Sequence, residues 1–192
     1  MSKNRFQNTE LDLKGDLLIA SARLANSPLA KTVVLVLQHD STGSFGVVLN
    51  RPATENMRAA WQKASGTATN LGSHLLQGGP MGGPIFAIHS VEKLGELRVD
   101  GGIFLSATAE SIDRIVECGD DHFRICLGVV GWKHGIVEGE LADGNWYRLP
   151  GDSELVFDDS GFLWEKSILS YGRKTMCDML SVTDLPANPE RN

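Results

Sequence analysis

Histidine and arginine residues next to apolar runs are the side chains of this sequence best suited to acid–base or anion chemistry. His39 and His89 each follow such a run, and Arg51 lies in Asn50-Arg51-Pro52, between a predicted strand and a predicted helix. An imidazole can act as a general base, and an arginine beside a helix N-terminus can hold an anion. The structural alternative is that the histidines bond loop carbonyls at strand ends and that Arg51 fixes the corner. We therefore predict His39, Asn50, Arg51 and His89 as binding residues, and no catalytic residue.

A glycine-rich segment runs from Gly78 to Pro84, as Gly-Gly-Pro-Met-Gly-Gly-Pro. A phosphate-binding loop needs a Lys-Ser/Thr pair and a following helix, but this segment has no lysine and leads into a predicted strand. The pattern predicts a tight turn with positive φ, and it predicts no nucleotide or other cofactor. Gly78 and Gly79 remain binding candidates. So does Trp132, which lies among glycines at a strand end and either lines a groove or packs in the core.

One spacing suggests a metal, because Cys118, His122 and Cys126 form C-x3-H-x3-C. A structural zinc site needs four ligands, and no fourth residue stands at motif spacing. We predict that no metal is bound and that the three cysteines of the chain are small hydrophobes, as in a reducing compartment.

Short strands and a few helices must position these side chains. Stripes at helical spacing predict helices around Trp61 and Ile112, and a third around Ile168 that Gly172 ends before a short last helix around Met176. Strands outnumber helices and come partly in hairpins, which predicts an α+β fold with a mixed sheet. The predicted strands cover residues 32–37, 45–49, 85–89, 103–105, 123–132, 146–149 and 155–157, and residues 17–20 form a short apolar run.

The chain has 192 residues, 42% of them hydrophobic, which suits one globular domain. We predict a flexible lead-in at 1–14, a single domain at 15–183 and a frayed tail at 184–192. The apolar runs are far shorter than a membrane span, and the polar N-terminus does not resemble a secretory signal, so a cytoplasmic location is expected. The formal net charge of −6 argues against nucleic acid or an anionic membrane as partner.

Several segments in a fixed order resemble the YqgE/AlgH family of bacterial proteins. They are Gly15–Ala20, Lys31–Val34, His39-Asp40, Gly46–Pro52, Gly78-Gly79-Pro80, His89, Gly131-Trp132, Gly135, Glu138, Glu140 and Asn145-Trp146. The resemblance implies a branched, barrel-like mixed sheet with flanking helices and a cytoplasmic location. It implies no agreed catalytic residue or cofactor, and one branch of the family is linked to transcriptional control of alginate production.

Three functions follow from these observations. The first is a non-enzymatic binding or regulatory protein that acts through contacts with an unidentified protein partner. The second is an enzyme or binder of a small anionic ligand, which requires Arg51, His39 and His89 to converge on one pocket. The third is a structural or assembly role, as a homodimer through an exposed strand edge.

Overall fold

The computed structural model describes residues 11–65, 71–118 and 122–183. These ranges form a mixed sheet with five α-helices. The strands are β1 (Asp16–Ala20), β2 (Val33–Asp40), β3 (Gly43–Val48), β4 (Leu75–Gln77), β5 (Met81–His89), β6 (Leu97–Arg98), β7 (Phe104–Ser106), β8 (Phe123–Lys133) and β9 (Trp146–Pro150). The helices are α1 (Glu55–Ser65), α2 (Ala109–Glu117), α3 (Ile136–Ala142), α4 (Ser153–Val156) and α5 (Leu163–Leu180).

The strands form one curled, half-barrel sheet in the order β6-β7-β5-β8-β3-β2-β1-β9, with β4 off this path. Neighbours on the path are antiparallel, whereas β4 pairs in parallel with β8. The predicted α+β class, the mixed sheet and the branched, barrel-like shape are therefore confirmed. The predicted hairpin of β2 and β3 is also present.

The sheet is covered on both faces, as the continuous apolar run of β2 predicts. Alternate residues of β2 serve two separate cores. Leu35 belongs to the core under α5, while Val34 belongs to the core under α3. A third core lies where α1 and α2 pack around Trp61 and Ile125. The helices thus hold the sheet in place from several sides.

The branch point lies at Gly128, where β8 has a positive φ of 82°. Before it, β8 pairs with β4 and with most of β5, and after it β8 pairs with β3, while Met81 of β5 still pairs with Val129. Gly78 bridges the gap, because its N–H donates to Leu127 O and its carbonyl accepts from Val48 N–H. A glycine with positive φ inside a long strand therefore lets two halves of the sheet diverge.

Three local predictions differ from the structure. The run 155–157, expected as a strand, ends the short helix α4, whose first turn is capped by Asp152 Oδ1 accepting from Leu155 N–H. A short apolar run does not distinguish strand from helix, and the cap decides it here. The two last helices are one, because Gly172 is not in the left-handed conformation that ends a helix, and α5 runs through it to a left-handed cap at Ser181. Helix α3 was not predicted.

The predicted termini lie mostly outside the described residues, namely 1–10 of the lead-in and 184–192 of the tail. Leu13, placed in the flexible lead-in, is fully buried in the core under α3, so packing begins before Gly15. None of the helices in the described ranges combines the length and the apolar character that a bilayer crossing requires.

Candidate functional site

The predicted binding residues are distributed over two ends of the sheet. His39 pairs with Ser44, which in turn pairs with Trp132 near the end of β8. His89 pairs with Phe123 at the other end of β8. Nine residues separate the two β8 positions, or about 30 Å along the strand at ~3.3 Å per residue. His39 and His89 therefore do not share a pocket.

His89 is completely buried beside β7. Its Nε2 lies 3.0 Å from Ser106 Oγ, and that hydroxyl donates to Leu94 O at 2.6 Å. The serine oxygen must then accept, so His89 carries its proton on Nε2. Burial lowers the pKa of His89, which keeps the ring neutral. His89 is thus held as a core histidine at a strand end.

Asn50 and Arg51 hold the corner before α1. Asn50 Oδ1 accepts from Val33 N–H at 3.0 Å, and its Nδ2 donates to Lys31 O at 2.8 Å. Arg51 Nη2 donates to Ala30 O at 3.4 Å. These bonds secure a turn in which Lys31 has a positive φ of 53°. Both side chains bond backbone atoms of this turn, as in the structural alternative.

Gly78 and Gly79 are buried where the chain crosses β8. A Cβ at Gly78 would lie 2.3 Å from Gly128 O, and one at Gly79 would lie 2.1 Å from the Val129 carbonyl. Neither glycine has a positive φ. The expected reason for glycine, a strained turn, is therefore wrong. The reason is the close approach of two backbones, which excludes a side chain.

A β-bulge turns His39 toward α3. The pairing of β2 with β3 shifts between Val36 and Gln38, so one extra residue of β2 is inserted there. Strict alternation from Val36 would place His39 on the opposite face, under α5. With the bulge, His39 shares the face of Ser44 and Trp132. Of the predicted residues, His39 and Trp132 are brought together.

The side chains of Ser44, His39 and Glu138 form a row at this face. Ser44 Oγ and His39 Nδ1 share a hydrogen bond of 2.7 Å, and His39 Nε2 lies 3.8 Å from Glu138 Oε1. The His39 side chain is only 9% exposed. Glu138 Oε2 is buried, and it accepts no hydrogen bond from the described residues. Ser44 is itself buried, which suits a residue that orients the imidazole rather than a nucleophile.

A second carboxylate of α3 ties this helix to the sheet. Glu140 Oε2 accepts from Trp132 Nε1 at 3.0 Å and from Trp146 Nε1 at 2.6 Å. The two indole rings meet edge to face, with centroids 6.0 Å apart. Both tryptophans are buried, so each N–H needs an acceptor. Glu140 supplies one oxygen to both and fixes α3 beside His39.

Next to this row lies an open cavity of about 390 Å³. Its walls are Leu11, Asp12, His39, Asp40, Ser41, His134 and Glu138. Hydrogen bonds from Thr42 and Gln38 lower the pKa of Asp40 to about 2, so this carboxylate stays ionised. The lining contains three carboxylates and no lysine or arginine.

No three His, Cys, Asp or Glu side chains are grouped to hold a metal ion anywhere in the ranges 11–65, 71–118 and 122–183. Cys126 of the suspected metal motif is fully buried in an apolar core, and burial raises the pKa of its thiol to about 12. Such a thiol does not ionise readily to become a ligand.

Sequence reasoning missed Ser44, Glu138 and Glu140 as site residues. Glu138 and Glu140 were among the residues that carry the family resemblance, and this was the available signal. Glu138 and Glu140 are separated by a single residue on a helix that was not predicted, and this spacing matches no known motif. Their roles depend on how α3 packs, which no local pattern specifies.

A separate surface is formed by the outer side of α5. We call Phe162, Leu169, Met176 and Leu180 the α5 stripe, and these side chains are 53–67% exposed. At 100° per residue they lie within about 40° of one another around the helix. The buried Leu163 lies on the inner side of the same helix.

The comparisons with known proteins agree with this architecture. The model of the AlgH-like family of unknown function matches residues 17–176, most of the chain. The chain belongs to the AlgH-like family. A UPF0301 protein of Chlorobaculum tepidum is 30% identical over 182 residues, covering 90% of this chain and 93% of the relative. A UPF0301 protein of Nitrobacter hamburgensis is 33% identical, covering 76% of this chain and 74% of the relative.

Two solved structures share the fold with this family member. The solution structure of AlgH from Pseudomonas aeruginosa superposes with a TM-score of 0.68 at 23% identity, covering 94% of this chain and 99% of AlgH. A Corynebacterium diphtheriae protein superposes with a TM-score of 0.68 at 17% identity, covering 88% and 90% of the two chains. At these identities the structures establish the fold alone.

Proposed function

We propose that this AlgH-like chain is a non-enzymatic binding protein that acts through protein contacts, with the α5 stripe as its contact surface. The observation that carries the proposal is the exposure of large apolar side chains along one line of one helix. Phe162 is 64% and Leu169 is 67% exposed, and Met179 beside the stripe is 80% exposed. Several large apolar side chains exposed on one side of a helix typically mark an interaction site.

The spacing of the stripe favours a helical partner. Phe162, Leu169 and Met176 recur every seven residues, which keeps them along one line on the surface of the helix. The 18 residues of α5 span about 27 Å, enough for four turns or more of a partner helix. An amphipathic helix laid along α5 would cover the stripe with its own apolar face.

The charges beside the stripe define the partner further. By the same helical geometry, Lys166 and Arg173 lie along one edge of the stripe and Glu165 lies along the other. An antiparallel second copy of α5 would set the basic edge against itself, which is unfavourable. We therefore propose a different protein as partner, whose amphipathic helix covers the stripe with its apolar face. Lys166 is already paired with Asp158 at 2.8 Å, so the contact with the partner is mainly apolar.

The proposal extends to compartment and process. A net charge of −6 disfavours direct contact with DNA, so a role in transcriptional regulation would operate through the protein partner. We propose a cytoplasmic location for this contact. The competing interpretation of an enzyme around Arg51, His39 and His89 finds no support, because the two histidines lie at opposite ends of β8 and the side chains of Arg51 and His89 bond within the fold.

The test uses the full chain with Leu169→Glu or Met176→Glu on the stripe, and Leu97→Glu as control. Leu97 is also exposed but lies on β6, away from α5. Proteins crosslinked in the native cytoplasm are identified by mass spectrometry. The candidate partner is then purified, and its helix is tested as a peptide. We expect the peptide to bind the wild type and Leu97→Glu, and to lose binding to both stripe variants.

Equal binding by all variants, or a partner with no amphipathic helix, would contradict the proposal. Sedimentation of the purified chain shows whether it forms a dimer, and this distinguishes self-association from binding of a different protein. A dimer that Leu169→Glu dissociates would replace the proposed partner with a second copy of this chain.

A further inference from the structure

We infer that Met176 and Met179 form a reversible oxidation site that controls the contact made by the α5 stripe. This inference rests on the proposed function, because it concerns the same surface. The reagent is a peroxide, represented by hydrogen peroxide. Its O–O bond breaks, a sulfur–oxygen bond forms and water leaves, so the thioether loses two electrons to the peroxide. The product is methionine sulfoxide, which is polar.

The first observation is the exposure of these two side chains. Met176 is 53% and Met179 is 80% exposed. Met57, in contrast, is partly buried against the core between α1 and α2. Exposure governs methionine oxidation, because the peroxide must reach the sulfur. The two methionines of α5 are therefore accessible before a partner covers them.

The second observation is that the two side chains lie together at the C-terminal end of the stripe. They are three residues apart on α5, which makes them neighbours on the surface of the helix, and Leu180 follows Met176 at a spacing of four. Phe162 and Leu169, nearer the N-terminus of the helix, contain no sulfur. Oxidation thus makes one end of the contact surface polar and leaves the other end apolar.

The effect of a sulfoxide differs between the free and the bound chain. In the free chain both side chains face water, which can hydrogen-bond the added oxygen, so α5 stays folded. In the contact the same oxygen would be buried against an apolar face without a donor, which is unfavourable. Oxidation therefore weakens binding without unfolding the chain, and a bound partner in turn shields the two sulfurs from peroxide.

A methionine outside the stripe provides a matched control. Met81 is 51% exposed, nearly as much as Met176, but it lies on β5 and pairs with Val129 of β8. Peroxide can reach Met81 as well, so a general effect of oxidation on the chain would also depend on this residue. An effect that requires Met176 and Met179, and not Met81, belongs to the stripe.

The test treats the full chain with hydrogen peroxide and measures two quantities. Mass spectrometry of proteolytic fragments follows the gain of one oxygen at each methionine. Calorimetry gives the dissociation constant of the helical peptide from the crosslinked partner, before and after treatment. Each variant is compared with its own untreated form, so a change in its basal affinity cancels. Far-UV circular dichroism of the treated chain checks that the helices remain.

We expect Met176 and Met179 to be oxidised faster than Met57, and the bound peptide to slow oxidation of the first two alone. Treatment should weaken binding of the peptide at least about tenfold in the wild type and in Met81→Leu. The double variant Met176→Leu/Met179→Leu has no thioether in the stripe, so treatment should leave its affinity unchanged. Methionine sulfoxide reductases with a dithiol should restore binding by the oxidised wild type.

Equal affinity of the wild type before and after oxidation would overturn the inference and leave the proposed contact intact. An equal loss of affinity in the double variant, or a loss of helix on oxidation, would overturn it as well. A peptide that binds the untreated wild type no better than Leu169→Glu would instead refute the proposed contact itself, and the inference with it. The two failures are therefore distinguishable.

Discussion

Replacing Glu140 by alanine should destabilise the protein more than its partial exposure suggests. The carboxylate accepts from Trp132 Nε1 at 3.0 Å and from Trp146 Nε1 at 2.6 Å, and both indoles are buried. Removing the acceptor leaves two buried donors unpaired, at about 1–3 kcal/mol each. Water can reach Glu140 from one side, which places the total near the lower end. We expect a loss of about 2–3 kcal/mol in the free energy of unfolding.

Glu138→Ala provides a matched control on the same helix. It makes the same change in helix propensity two residues earlier, but its buried Oε2 accepts no hydrogen bond from the described residues. We expect the free energy of unfolding of Glu138→Ala to stay within about 0.5 kcal/mol of the wild type. The comparison isolates the hydrogen bonds from the loss of a charge on α3.

Urea unfolding followed by far-UV circular dichroism measures both variants, since the fluorescence of the tryptophans changes with the mutation itself. The midpoint for Glu140→Ala should fall with little change in the slope. The stability of Glu140→Gln should lie between those of the wild type and Glu140→Ala. An amide oxygen can accept both hydrogen bonds, but these are weaker than bonds to a charged carboxylate. Equal stability of Glu138→Ala and Glu140→Ala would refute the proposed role of the indole–carboxylate bonds.

Three further predictions concern residues that position the site. Gly79→Ala should lower the free energy of unfolding by about 3 kcal/mol or prevent folding, since the added Cβ would lie 2.1 Å from a carbonyl of β8. Gly82→Ala should leave the free energy of unfolding unchanged, because the added Cβ would meet no atom within 4 Å. Urea unfolding measures both variants. Asn50→Ala should cost about 1–3 kcal/mol in the same assay by leaving the buried Val33 N–H unpaired; a neutral result would contradict this. Because the pKa of His89 is lowered, the unfolded chain binds a proton that the folded chain does not, and the free energy of unfolding should fall as the pH drops below about 6.5. His89→Asn should make the free energy of unfolding depend less on pH. An unchanged dependence in this variant would exclude His89 as its source.

The features that could be read from the sequence are those that neighbouring residues determine. The apolar run of β2 predicted burial on both faces, and its alternate residues do enter two cores. The apolar stripe around Ile112 predicted a helix, and α2 runs over it, with Thr108 accepting from Ser111 N–H at its start. The branched shape of the sheet came from the family resemblance and is confirmed. These properties depend on side-chain type and on spacing of a few residues.

The local errors came from segments where short patterns are ambiguous. Residues 155–157 are apolar and strand-like, but the cap at Asp152 begins a helix there. Gly172 is a frequent helix terminator, yet α5 continues through it, because Gly172 does not adopt the left-handed conformation that ends a helix, which is found instead at Ser181. The segment with Gly78 and Gly79 was predicted to require glycine, but the cause is the close approach of the β8 backbone, which lies about 50 residues further along the chain.

Residue types and short spacings suffice to predict an α+β fold with buried strands, and they contain no recognisable catalytic motif. They do not indicate which polar groups meet in the folded chain. A single bulge in β2 moved His39 to the face of α3, and the packing of that helix brought Glu138 beside it. The strand pairing also places His39 and His89 at opposite ends of β8. The physical reason is that strand register and helix docking are set by contacts between distant residues, whereas sequence patterns report contacts between near ones.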